Sequence, residues 1–169
     1  MVQKNNSYFL IYYYSLFSVL SSISFSCIEV GKKSIVDEKY VCCIRHENLR
    51  KILDMLTRTL KKEKGFNRIR ISRNTFNTII TELNEYGIII EKLREGSNEG
   101  RGYKRYVMIY DVDTISKARQ CIGSILGYEL TKLIEEKINE LRNGIAKTYF
   151  NDLIMELQEC FRSLRDVGF

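Results

Sequence analysis

The 169 residues contain no proline, a single histidine and five cysteines. No low-complexity tail, internal repeat or Gly/Ser linker divides the chain, so nothing in it marks independently folding domains. Five is an odd number, and Cys27, Cys42, Cys43, Cys121 and Cys160 lack the spacing of a disulfide framework, which points to a reducing compartment. The run Cys42-Cys43-Ile44-Arg45-His46 invites a zinc reading. Neighbouring cysteines rarely share a tetrahedral site, however, no CxxC pair exists, and one histidine leaves the fourth ligand to a distant residue. The expectation is therefore no metal and no cofactor. No Ser-His-Asp, Cys-His or paired-carboxylate constellation, phosphate-binding glycine loop or HExxH motif stands out. His46 reads as a helix-start residue rather than a base, no catalytic residue is assigned, and an enzyme is the least supported class.

What is present is concentrated between Ser72 and Ile90. Ser72 suits an N-cap, because its hydroxyl can accept from an orphan N–H of the first turn. Phe76, Ile79, Ile80, Leu83 and Tyr86 recur at the i, i+3, i+4, i+7 spacing of one buried helix face. Gly87 fits the position just past the helix end, where the chain turns with positive φ. The opposite face carries Arg73, Asn74, Asn77, Thr78, Thr81 and Asn84, short hydrogen-bonding side chains of the kind that reach base edges and phosphates in a groove.

Ile88 to Arg94 follows as a strand pattern, residues 95–102 as a polar glycine-rich loop, and Tyr103 to Tyr110 as a second strand. Together they predict a hairpin bearing Lys92, Arg94, Arg101, Lys104 and Arg105. The stretch SRNTFNTIITELNEYGIIIEKLREGSNEGRGYKRYVMIYD resembles the recognition helix, Gly-Ile-Ile junction and wing of the winged helix-turn-helix superfamily, and the resemblance extends over residues 46–110. It implies an α+β, mainly helical fold with a β-hairpin wing. It also implies double-stranded DNA as partner, read at its base edges by Arg73, Asn74, Asn77, Thr78 and Thr81. A winged helix has a first helix, a short strand and a positioning helix before the recognition helix. Here the clear preceding helix is His46 to Glu63, with Leu49, Ile52, Leu53, Leu56 and Leu60 on one face, and residues 64–72 read as turn and short strand. Either the positioning helix shrinks to one turn near Ser72, or residues 46–63 take that role and the first helix lies upstream.

Charge follows the same division. The net formal charge is +6; residues 61–105 hold eleven Lys/Arg against six Asp/Glu, while residues 1–60 net +3 and residues 106–169 net −2. A positive field centred on one module is the electrostatic footprint expected for a nucleic acid. Lys61, Lys62, Lys64, Arg68 and Arg70, on the approach to the helix, are assigned to phosphates together with the hairpin cations. The competing reading is an ordinary solvated basic face.

The amino-terminal region points elsewhere. Asn5 to Ile28 carries no charge, and Tyr8 to Ile28 has the length to cross a hydrocarbon core of ~30 Å. Phe9, Tyr13, Leu16, Leu20, Ile23 and Cys27 share one helical face, and Ser18, Ser22 and Ser26 form a small-residue row. A membrane anchor over residues 8–28, with the carboxy-terminal domain in the cytoplasm, competes with a buried first helix, a strand around Ser22–Ser26, and upstream sequence included by a wrong start site. Seven serines from Ser7 to Ser26 suit a packed helix better than a lipid-facing one, which favours the buried helix and a cytoplasmic, DNA-associated protein.

The last third reads as two helices. Asp113 or Thr114 caps one running to about Asn143, Gly144 breaks it, and Ala146 to Leu164 forms the second. With 44% hydrophobic residues the chain suffices for one compact domain plus an appendage. The organisation expected is an apolar segment at 1–33, a DNA-binding domain at 34–112 and a helical dimerisation region at 113–169, with Ile122, Leu126, Leu130 and Leu133 at a homodimer interface. The function expected is transcriptional regulation through helix 73–86 and wing 88–110. The alternatives are a winged-helix protein-docking adaptor and a membrane-tethered regulator.

Overall fold

The computed structural model describes residues 2–30, 41–63, 65–95 and 104–166. They form an α+β, mainly helical fold with elements in the order α1 (Val2–Val30), β1 (Val41–Arg45), α2 (His46–Leu60), α3 (Arg73–Glu85), β2 (Ile89–Glu95), β3 (Lys104–Asp111), α4 (Val112–Leu126), α5 (Tyr128–Asn143) and α6 (Lys147–Asp166). The three strands make one antiparallel sheet in the order β1-β3-β2.

The central element is α1. Leu16, Phe17, Val19, Leu20 and Ile23 are buried in the core shared with the sheet and the other helices. Burying a side chain of that size contributes about 1.5–3 kcal/mol. No helix among the described residues is long and apolar enough to cross a membrane. Several serines and tyrosines of α1 are hydrogen-bonded within the protein, whereas Ser21 Oγ is buried with no hydrogen-bond partner among the described residues. Ser15 and Ser24 donate back to the carbonyls of Ile11 and Leu20, each at 2.7 Å, as buried helical serines do. Ser18 accepts from Arg119 of α4 at 3.1 Å, and Ser22 accepts from Arg142 of α5. The row of small residues therefore receives arginines from the covering helices, and residues 22–26 are helical rather than a strand. The chief partners of α1 are α4, then α6 and α5, with a lesser contact to α3. At Gly123 a Cβ would stand 3.1 Å from the Tyr14 ring, so the glycine admits α1 close to α4.

The helix α2 buries Leu49, Ile52, Leu53, Leu56 and Leu60, the stripe its spacing predicts, and ends at Leu60 rather than Glu63. Its entrance lacks a side-chain cap of its own. Glu156 of α6 compensates, accepting from the Arg45 N–H at 3.3 Å and from Asn48 at 3.4 Å. Burial raises the Glu156 pKa, and those two hydrogen bonds and the Arg45 charge oppose the rise.

Residues 65–72 are an irregular turn and not a strand, although Ile69 and Ile71 are buried and Arg68 and Arg70 exposed, as their alternation implies. In the chain α2 directly precedes α3, and α1 lies upstream of both.

The expected single helix from residue 113 to 143 is two. Gly127 has φ 94° and ψ 163°, a conformation open essentially to glycine alone, so α4 stops at Leu126 and α5 starts at Tyr128. The α4 cap is Asp111, accepting from the Asp113 N–H at 3.0 Å, rather than Asp113 or Thr114. Ile115, Ile134, Ile138, Leu141, Phe150, Leu153 and Leu157 join the same core as α1, which is how the wide apolar stripe of the last third is covered.

Candidate nucleic-acid interface

The exposed face of α3 is built by its two ends. At the start, Ser72 Oγ accepts from the Thr75 N–H at 3.2 Å, an N-cap of the kind that contributes ~1 kcal/mol. At the finish, Gly87 takes φ 74° and its N–H donates to the Asn84 carbonyl, while the Ile88 N–H donates to Leu83. Between them Phe76, Ile79, Ile80 and Leu83 are buried, which turns Arg73, Asn74, Asn77, Thr78 and Thr81 outward to solvent. The fifth residue of the predicted apolar stripe does not follow: Tyr86 is 77% exposed, because it lies past the end of α3 where the chain is already turning away.

The outward face is polar and little opposed by acid. Thr78 and Thr81 donate their hydroxyls to the carbonyls of Asn74 and Asn77, at 3.0 and 2.8 Å, leaving oxygen lone pairs for an incoming donor. Of the two acids of α3, Glu85 is exposed at its end and Glu82 receives the Tyr13 hydroxyl from α1. That contact and burial raise the Tyr13 pKa, burial first.

The approach to α3 is fixed from beneath. Tyr12 of α1 accepts the Arg70 N–H and Thr57 of α2 accepts the Ile71 N–H, both at 3.1 Å. Ile69 and Ile71 are thereby held in the core, and Arg68 and Arg70 are exposed immediately ahead of Arg73. Lys61 and Lys62 are exposed on the turn that follows α2. Lys64 lies outside the described residues.

On the hairpin the register sets Lys92 opposite Val107, Arg94 opposite Arg105 and Glu95 opposite Lys104. Arg101, at the expected tip, lies outside the described residues. At the root of the hairpin, the Glu91 N–H donates to Asn84 Oδ1 at 3.2 Å, and its carboxylate stands 3.5 Å from His46 Nε2. The His46 ring also meets Phe76 edge-on, with centroids 5.5 Å apart. Burial lowers the His46 pKa below 6.5, and Glu91 opposes the shift. His46 is the first residue of α2, as its reading as a helix-start residue implies.

The four residues expected at a homodimer interface, Ile122, Leu126, Leu130 and Leu133, are partly buried against the core of their own chain. Among the described residues of the carboxy-terminal third the exposed large apolar side chains are Ile125 and Tyr128, on either side of the Gly127 corner, with Ile145 and Met155. Sequence periodicity singled out neither of the two at the corner: Ile125 lies off the stripe of Ile115, Ile122 and Leu126, and Tyr128 opens α5 beyond the corner. It also missed the Asn84 to Glu91 bond, which crosses a glycine turn where no period carries through. Among the described residues no three of His, Cys, Asp and Glu gather where they could hold a metal ion. No protein-family model matches the chain, and neither a curated protein nor a solved structure is similar enough to stand as a relative.

Proposed function

We propose that this chain is a winged helix-turn-helix protein that binds double-stranded DNA sequence-specifically and regulates transcription. The observation that carries the proposal is the outward face of α3, where Arg73, Asn74, Asn77, Thr78 and Thr81 are exposed together directly after the exposed cations Lys61, Lys62, Arg68 and Arg70. Short amides and hydroxyls with one arginine are the side chains that pair with base edges in a major groove, and flanking cations supply the sequence-independent attraction to phosphate. The order helix, strand, helix, helix, strand, strand over residues 2–111, with sheet order β1-β3-β2, supports the same reading. In it α2 positions, α3 reads and β2–β3 is the wing, whose Lys92, Arg94, Arg101, Lys104 and Arg105 meet the phosphate backbone.

The test is discrimination. On a preferred duplex selected from a random pool, Arg73→Ala and Asn77→Ala should each cost about 1–3 kcal/mol, with little loss on random duplex. Equal losses on both would reduce α3 to a clamp without sequence preference.

A second reading, a protein-docking adaptor, is favoured by Tyr86 and Ile90, which are 77% and 49% exposed side by side with the polar face at the α3–β2 junction. Its signature is absence of duplex binding at low salt. Assembly as a homodimer is supported by the exposed pair Ile125 and Tyr128, and a monomer at micromolar concentration by light scattering contradicts it.

A further inference from the structure

Glu91 is an acid at the root of the proposed basic wing, where a phosphate-binding surface has no use for one. Its surroundings give it a different task. Its N–H is held by Asn84 Oδ1, from the last turn of α3, at 3.2 Å. Its carboxylate stands 3.5 Å from His46 Nε2, at the first residue of α2. The same residue is paired across the sheet with buried Met108, which is paired in turn with Ile44 of β1. One rung of the hairpin is therefore tied to α3, to α2 and to the rest of the sheet. Gly87, just before it, supplies a turn with no side chain to restrain the angle between α3 and β2.

Resting on the DNA-binding reading above, we infer that Asn84 is a positioning residue: through the Glu91 N–H it sets the angle between α3 and the β2–β3 hairpin, so that groove-reading helix and cationic wing meet one duplex together. The bond from the Glu91 N–H fixes the orientation of the Asn84 amide at the carboxy-terminal end of the polar face of α3.

The experiment has one arm without DNA and one with it. In the full-length chain without DNA, Asn84→Ala should speed hydrogen exchange of the Glu91 amide about five- to tenfold, the loss expected for one hydrogen bond, and Asn84→Asp, which keeps the acceptor, should stay within about twofold of the parent. In the second arm the pair Lys104→Ala and Arg105→Ala is introduced into the parent and into Asn84→Ala. Duplex affinity should fall about tenfold in the parent, and by less than about threefold once the wing is no longer held to the helix. Unchanged exchange in Asn84→Ala overturns the tether. Faster exchange with equal losses in both backgrounds overturns the positioning role, since Asn84 then acts independently of the wing. A parent chain that binds no duplex overturns the reading on which the inference rests, whatever the exchange arm shows.

Discussion

The hydroxyls of Ser24 and Tyr110 lie 2.8 Å apart inside the core and join α1 to β3, the central strand of the sheet. A polar pair there fixes how the amino-terminal helix sits against the sheet. Ser24 keeps its bond to the Leu20 carbonyl when the Tyr110 hydroxyl is removed, so the loss is that of one hydrogen bond, and Ser24→Ala and Tyr110→Phe should each destabilise the fold by about 0.5–1.5 kcal/mol in urea denaturation. The double variant should be less damaged than the sum of the two, by at least ~0.5 kcal/mol. Simple additivity would show that the two hydroxyls do not act as a pair.

Leu20 sits one turn before Ser24 and is completely buried. Leu20→Ala should cost about 2–5 kcal/mol, a large share of the stability of a domain this size, and leave the midpoint of denaturation sharply lowered. A variant of unchanged stability would mean that α1 is an appendage, as the anchor reading requires, and that the core stands without it.

Gly127 holds the corner between α4 and α5 at a φ that a side chain strains. Open space surrounds the site, so the penalty for Gly127→Ala is backbone strain alone, about 1–3 kcal/mol. A neutral or stabilising substitution would indicate a continuous helix from Val112 to Asn143.

His46 gives stability a dependence on pH. Its pKa in the fold is depressed, first by burial, with the Glu91 carboxylate opposing. As pH falls the unfolded chain takes up this proton first, so the contribution is complete above 6.5 and is lost as pH drops from 6.5 through the folded pKa. His46→Gln should flatten thermal stability across that window. A parent that grows more stable as pH falls through it would reverse the sign and contradict the burial.

The elements easiest to read were those whose signals are local. Ser72, the apolar stripe Phe76 to Leu83 and Gly87 lie within sixteen residues and fix α3 between them, and the buried stripe of α2 is equally legible. The role of α1 was harder, because its serines looked like a defect in a membrane helix until their partners were known. Arg119 and Arg142 stand 101 and 120 residues from Ser18 and Ser22, beyond any window of periodicity. Tyr86 misled for the opposite reason: the helical period continues through it, but the helix does not. The last third was read as continuous because Gly127 falls inside an unbroken apolar stripe, and the φ that ends the helix there leaves no trace in the pattern. In the candidate site, residue types and exposure followed from the pattern, whereas the pins at Tyr12, Thr57 and Asn84 depend on tertiary contacts alone.

The most direct measurement is the equilibrium affinity of the full-length chain for duplex DNA across a salt series. If Lys61, Lys62, Arg68, Arg70 and the hairpin cations meet phosphates, log K should fall linearly with log salt, by about 0.9 for each phosphate neutralised. Removing Lys104 and Arg105 should then weaken binding to every sequence and make that slope shallower. A flat salt dependence, or no binding at low salt, would contradict the account and leave the exposed face of α3 to a protein partner.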